Sequence, residues 1–234
     1  MRKIMLSQAA LLQAALAQTA SMARHRPLAI AILGLAMLGL PAAGFAQDAK
    51  LYADAVNPDA GYLRVIMPGK SSAIVAGDSF SELDDGVSPY VMIDTPGTIA
   101  VSAGAAQGEA EVGKGSWNTY LITASGEGHM VTDPLTHSPA QADVTFYNIS
   151  DLDDVDLYVP AAKRAAMTDI DTGTGEWIAL KAPLSLEFQV RHGEDVLASV
   201  ADVALVRREG TTLVFRGQSG RYELVALKAA TKAN

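Results

Sequence analysis

Alternation of apolar and polar residues is what most narrows the folds open to this chain. From Ser185 to Arg191, Leu186, Phe188 and Val190 fall on one side, and Ser185, Glu187, Gln189 and Arg191 on the other. A period of two is the signature of a half-buried strand. Val155, Leu157 and Val159 alternate with Asp156 and Tyr158, and Ile99, Val101 and Ala103 repeat the pattern earlier. Further apolar runs stand at Tyr62–Met67, Tyr90–Ile93, Asn118–Thr123, Ala201–Val206, Leu213–Phe215 and Tyr222–Leu227. Turn formers separate them: Pro96-Gly97, Gly113-Lys114-Gly115, His192-Gly193-Glu194-Asp195 and Glu209-Gly210. No segment past the N-terminal region holds a long 3.6-residue period, and Ala161–Met167 is worth one helical turn at most. Short strands at this spacing predict an all-β chain of sandwich type.

The pattern repeats once. Thr98–Ala124 runs strand, Gly turn, strand, Gly turn, then a strand containing Tyr120-Leu121-Ile122. Ser185–Phe215 follows the same order and ends in Leu213-Val214-Phe215. This predicts two tandem small antiparallel β-sandwich domains, residues 47–134 and 141–234. Between them, Asp133-Pro134-Leu135-Thr136-His137-Ser138-Pro139 reads as a polar, Pro-containing linker. Limited proteolysis is expected to cut there and leave two folded fragments. A single larger sandwich is the other topology the pattern allows.

Residues 1–46 read as an export signal. Arg24 and Arg26 precede the uncharged run Leu28–Leu40. Pro41 and small residues then lead to Ala46, so cleavage is expected between Ala46 and Gln47. The run is shorter than the roughly 20 residues that span a bilayer, so no stable membrane insertion is expected. Met22 would give a signal of ordinary length and is a candidate true start. The leader holds Arg2, Lys3, Arg24 and Arg26 and no acid. Of 18 basic residues, taking away these four leaves 14 against 26 acidic ones, a net charge of −12. Such a chain is a poor partner for nucleic acid or an anionic membrane. A polyuronate would be repelled too, so weak or no direct polysaccharide binding is expected. Lys163-Arg164 and Arg207-Arg208 are the obvious basic pairs. With no cysteine there is no disulfide, lipid-anchored cysteine or thiolate metal site.

Four groups of residues invite a chemical reading. Gly77-Asp78-Ser79 matches the nucleophile block of one esterase class. That class needs an α/β fold and a downstream Asp-x-x-His, whereas Asp133 to His137 is one residue too long. Asp151, Asp153, Asp154 and Asp156 form one acidic cluster, and Asp169, Asp171 and Glu176 a second beside Gly173 and Gly175. Neither has the spacing of a calcium loop. Trp117 and Trp177 are candidate sugar-stacking platforms or, more commonly, core residues. No catalytic constellation, cofactor site or metal site stands out.

Two segments carry a family resemblance. Leu51-Tyr52, Pro58 and Tyr62-Leu63-Arg64-Val65 form the pattern L-Y-x5-P-x3-Y-L-R-V, and Asp143–Asp151 ends in Asn148-Ile149-Ser150-Asp151. Together they resemble the alginate O-acetylation proteins of the AlgF family. In that family Leu-Tyr and Pro lead into an apolar-Arg-Val strand, and a strand ending in Asn-x-Ser-Asp opens the second half. Ile66-Met67-Pro68 departs from the pattern where the family has an Asn. The resemblance implies a periplasmic, non-catalytic accessory protein of polysaccharide O-acetylation, most of all of alginate. It implies as partners a periplasmic acetyltransferase and a membrane-bound O-acyltransferase, and no cofactor. A carbohydrate-binding module and an acetyl carrier or transferase remain alternatives.

Overall fold

Each half of the described residues lays down eight strands in the same order. The computed structural model describes residues 57–69 and 72–232. Ala46, Gln47, Leu51 and Tyr52 lie outside them. In the first half, β1 (Gly61–Ile66), β4 (Val91–Ile93), β7 (Trp117–Ile122) and β8 (Gly128–Thr132) form a sheet in the order β4-β1-β7-β8. Strands β2 (Ala73–Val75), β3 (Asp78–Phe80), β5 (Gly97–Ala103) and β6 (Ala106–Val112) form a second, ordered β3-β2-β5-β6.

The second half repeats this with longer strands. These are β9 (Gln141–Asn148), β10 (Val155–Val159), β11 (Arg164–Ile170), β12 (Thr174–Lys181), β13 (Leu184–His192), β14 (Asp195–Leu205), β15 (Gly210–Gln218) and β16 (Arg221–Ala229). Their sheets run β12-β9-β15-β16 and β11-β10-β13-β14. Adding eight to each strand number of the first half reproduces both orders. The fold is therefore all-β, two tandem sandwiches of one topology. Pairing among these strands is antiparallel except at the centre of two sheets, where β1 runs parallel to β7 and β9 parallel to β15. The stretch Ala161–Met167 contains a single 3-10 turn, Pro160–Ala162, and then enters β11.

Burial shows how the sheets stack. Leu63 and Val65 of β1 pack with Ala73, Val75, Val101 and Ala103 of the opposite sheet in the first core. Val144 and Phe146 of β9 pack with Leu157, Phe188 and Val190 in the second. The other faces of these central sheets meet each other: Ile66, Val87 and Leu121 pack on Tyr147, Ile149 and Val214. The result is four layers, with β4-β1-β7-β8 and β12-β9-β15-β16 inside. Strands β1 and β7 are buried at every residue, whereas β5 and β13 show the one-sided burial that alternation predicts. The described residues belong to one compact unit. Its last residues return to the first half, where Tyr90 N–H donates to Ala230 and Lys232 N–H to the carbonyl of Tyr90, each at 2.8 Å.

Candidate functional site: a buried polar cluster between the sandwiches

A charged residue in the middle of β1 demands partners, because an unpaired buried charge costs several kcal/mol. Arg64 is 1% exposed. As the residue between Leu63 and Val65, it points away from the first core and into the seam between the inner sheets. Its Nε donates to Thr119 Oγ1 at 2.9 Å, Nη1 to Thr212 Oγ1 at 2.7 Å and Nη2 to Tyr147 Oη at 2.8 Å. The guanidinium also lies over the Tyr90 ring, 4.3 Å from its centre, an attractive placement for a cation.

Asp133 supplies the matching negative charge. It is 3% exposed, and it accepts hydrogen bonds from Tyr90 Oη at 2.8 Å, Thr119 Oγ1 at 2.5 Å and Tyr147 Oη. Arg64 and Asp133 thus share Thr119 and Tyr147 as bridges. Burial by itself would lower the Arg64 pKa, but Tyr147, Tyr90 and Asp133 around it raise it above its ordinary value. Burial is also the main cause that pushes the Tyr147 phenol up to about 12 and Tyr90 well above 10. The cluster therefore holds one cation, one anion and two neutral phenols, each hydrogen-bonded. It crosses from one sandwich to the other through Thr212 and Tyr147, and it is closed to solvent. Chemically it can orient and lock; it offers no exposed nucleophile.

An aromatic group flanks it. Trp117 stacks on Tyr62 with ring centres 3.9 Å apart and meets Tyr90 edge-on at 4.8 Å. Trp117 is 7% exposed, so it is a core residue and not a sugar platform. Trp177 is half-buried on β12. Asp133 also changes the reading of the segment that follows it. The stretch 133–139 joins the sandwiches, but it is pinned. Asp143, buried on β9, accepts the backbone N–H groups of Thr136 and His137 at 2.8 Å each and the Thr136 hydroxyl at 2.7 Å.

The segment Asn148–Asp151 is a brace. Asn148 is fully buried. Its Nδ2 donates to the carbonyls of Leu152 at 2.7 Å and Ile170 at 3.0 Å, and its Oδ1 accepts from Ser150 N–H at 3.1 Å and Ser150 Oγ at 2.7 Å. Asp151 accepts from Ser219 N–H at 2.9 Å and Tyr222 Oη at 3.0 Å, tying down the β15–β16 turn. The Ser219 N–H is the main cause that holds its carboxyl below the usual range. Pro58 is exposed ahead of β1.

The remaining sequence candidates are dispersed. Ser79 lies exposed on the edge strand β3, and no hydrogen bond joins it to a histidine among the described residues. Its neighbour Asp78 pairs with Lys232. In the acidic clusters, Asp153 accepts from Thr172 N–H at 2.8 Å, and Asp156 accepts from Asp169 N–H at 3.1 Å. Among the described residues no group of acids and histidines has the arrangement of a metal site. Nothing in the sequence pattern brought Asp133, Thr119, Tyr147 and Thr212 together with Arg64. The available signal was a lone Arg inside an apolar strand, which requires a buried acid somewhere.

No family model and no curated protein matches the chain. Two solved structures are among those to which the chain is similar. One is the C-terminal domain of AlgF from P. aeruginosa, at 20% identity over 38% of this chain and 98% of that one, with a TM-score of 0.34. The other is the N-terminal domain of AlgF from P. aeruginosa, at 18% identity over 34% of this chain and 99% of that one, with a TM-score of 0.29.

Proposed function

We propose that this chain is a non-catalytic accessory protein of exported-polysaccharide O-acetylation, alginate being the first candidate polymer. It acts in the periplasm as a rigid scaffold. The observation that carries this reading is what the family-pattern residues do. Arg64 locks one sandwich to the other, and Asn148, Ser150 and Asp151 brace the strand and turns of the second. Arg64 therefore fixes the relative placement of the two sandwiches and the other three hold the shape of the second, which is what a scaffold needs. No helix among the described residues is long and apolar enough to cross a membrane. The export signal read at residues 1–46 and the −12 charge of the remainder fit a protein that works beside an anionic polymer without holding it. Its partners are a periplasmic acetyltransferase and a membrane-bound O-acyltransferase.

Pull-down from a periplasm-plus-membrane extract is expected to recover one of these acetylation proteins, while calorimetry with oligouronate shows weak or no binding. Micromolar oligosaccharide affinity with no acetylation protein recovered would replace the scaffold with a binding module. A Ser79→Ala strain is expected to acetylate its polymer normally. Loss of polymer acetate with the protein folded and abundant would make the chain a transferase. Intact-mass measurement after incubation with an acetyl donor would reveal a carrier as an added acetyl group; none is expected.

A further inference from the structure

The outermost strands on one flank of the second sandwich are β11 and β12, each paired on one side only. An open strand edge presents unpaired backbone N–H and C=O groups, and natural edges are usually blunted by bulges or brevity. β11 is paired to β10 with register shifts around Leu157. β12 has no such device. It pairs with β9 over eight consecutive residues, from Thr174↔Asn148 to Lys181↔Gln141. Between the two edges the sheets part into a groove of about 420 Å³. Ile178 and Leu180 of β12, Leu186 of β13, and Ala165 and Ala166 of β11 line it, with Arg164 at its margin. Lys163 precedes Arg164, and Lys181 follows Leu180. None of these three cations has an ion-pair partner among the described residues. Of these only Arg164 lines the groove, and in a chain of net charge −8 it is a local exception there.

The geometry points to β12 as the docking edge for an extended segment of a partner protein, added as a further strand of its sheet. Alternate apolar side chains of that segment enter the groove. An acidic residue at one end meets Arg164. A strand is favoured over a hydrocarbon chain because the groove wall includes a strand edge, whose backbone groups only another backbone can pair. It is favoured over a second copy because two copies bring like net charges together. This assignment rests on the scaffold reading and names the place where one partner sits.

The probe is a ten-residue peptide of alternating Val and Thr ending in two Asp, titrated into the purified protein. The control peptide ends in two Lys. The Asp-ended peptide is expected to bind at least tenfold more tightly and to slow amide exchange in β12. Arg164→Glu should reverse the preference between the two peptides. Ala162→Trp, which fills the groove from an exposed position, should weaken both by tenfold or more. Unchanged circular dichroism establishes that both variants fold. The proposal fails if β12 exchange is unaffected, if decanoate binds in place of the peptides, or if β12 is protected only by concentration-dependent dimerisation. It also fails if neither substitution alters affinity. Pull-down with the Ala162→Trp protein separates the two readings. An acetylation partner retained at full yield removes the groove and leaves the scaffold. No partner recovered even with unmodified protein removes the scaffold, while the peptide titration still judges the groove.

Discussion

Arg64 and Asp133 show how one buried residue obliges others. Arg64→Leu removes the cation and leaves the Asp133 carboxylate held by hydroxyls alone. A loss of about 3–5 kcal/mol is expected in urea denaturation, the usual cost of orphaning a buried charge. Arg64→Leu combined with Asp133→Leu should cost well below the sum of the two single changes, because no charge is then stranded. Strict additivity would mean the two do not communicate. Tyr147 gives the cluster a pH dependence. Its phenol ionises near 10 when unfolded and at about 12 when folded. Above pH 10 the unfolded chain loses this proton first, so it binds fewer protons than the native state and stability falls as pH rises. The contribution is complete below pH 10 and is lost progressively up to about pH 12, roughly 2–3 kcal/mol in all. Tyr147→Phe should flatten this part of the stability profile, measured by urea midpoints from pH 9 to 12.

At the scale of elements, the two kinds of strand were unequally legible. Strands β5, β10 and β13 bury one face, so their alternation shows in the sequence. Strands β1, β7, β9 and β15 are covered on both sides, and their residues read as plain apolar runs with polar interruptions. Those interruptions, Arg64, Thr119, Tyr147 and Thr212, are the seam. Gly175 illustrates the close fit. It sits directly opposite Tyr147 across the β9–β12 pair, and a Cβ there would come within 2.4 Å of the tyrosine ring. The glycine that flanks an acidic cluster in sequence therefore makes room for a ring of the buried cluster. Gly175→Ala should displace that ring and destabilise by about 1–3 kcal/mol, the range for overfilling a packed site. A neutral result in thermal unfolding would show that the strand edge yields.

At the scale of the molecule, the two sandwiches repeat one topology, yet they are joined by more than a tether. The apolar seam, the Arg64 cluster and the return of residues 230–232 to Tyr90 all cross between halves. Cleavage within 136–140 should therefore leave two fragments that elute together on size exclusion, and unfolding should follow one cooperative transition. Fragments that separate without denaturant, or two resolved transitions, would show that the seam is weaker than its burial suggests. A fixed orientation also bears on the scaffold proposal, since Arg64→Leu should then reduce partner recovery even where each sandwich remains folded.

Taken alone, the sequence determines the class and the repeat. Period-two patterning, Gly and Pro turns and the order of strands are local properties, and they survive without knowledge of what lies across the core. Leu186, Phe188 and Val190 fall on the buried side as their spacing dictates. The tertiary structure alone decides the parallel pairing of β1 with β7 and β9 with β15, the stacking of the inner sheets, and the site between them. Arg64 meets Thr212 across 148 residues of sequence. Its charge can be read as needing partners, but their identity depends on which faces the two sandwiches turn toward each other. That choice is made by complementary packing over a whole surface, and no window of sequence contains it.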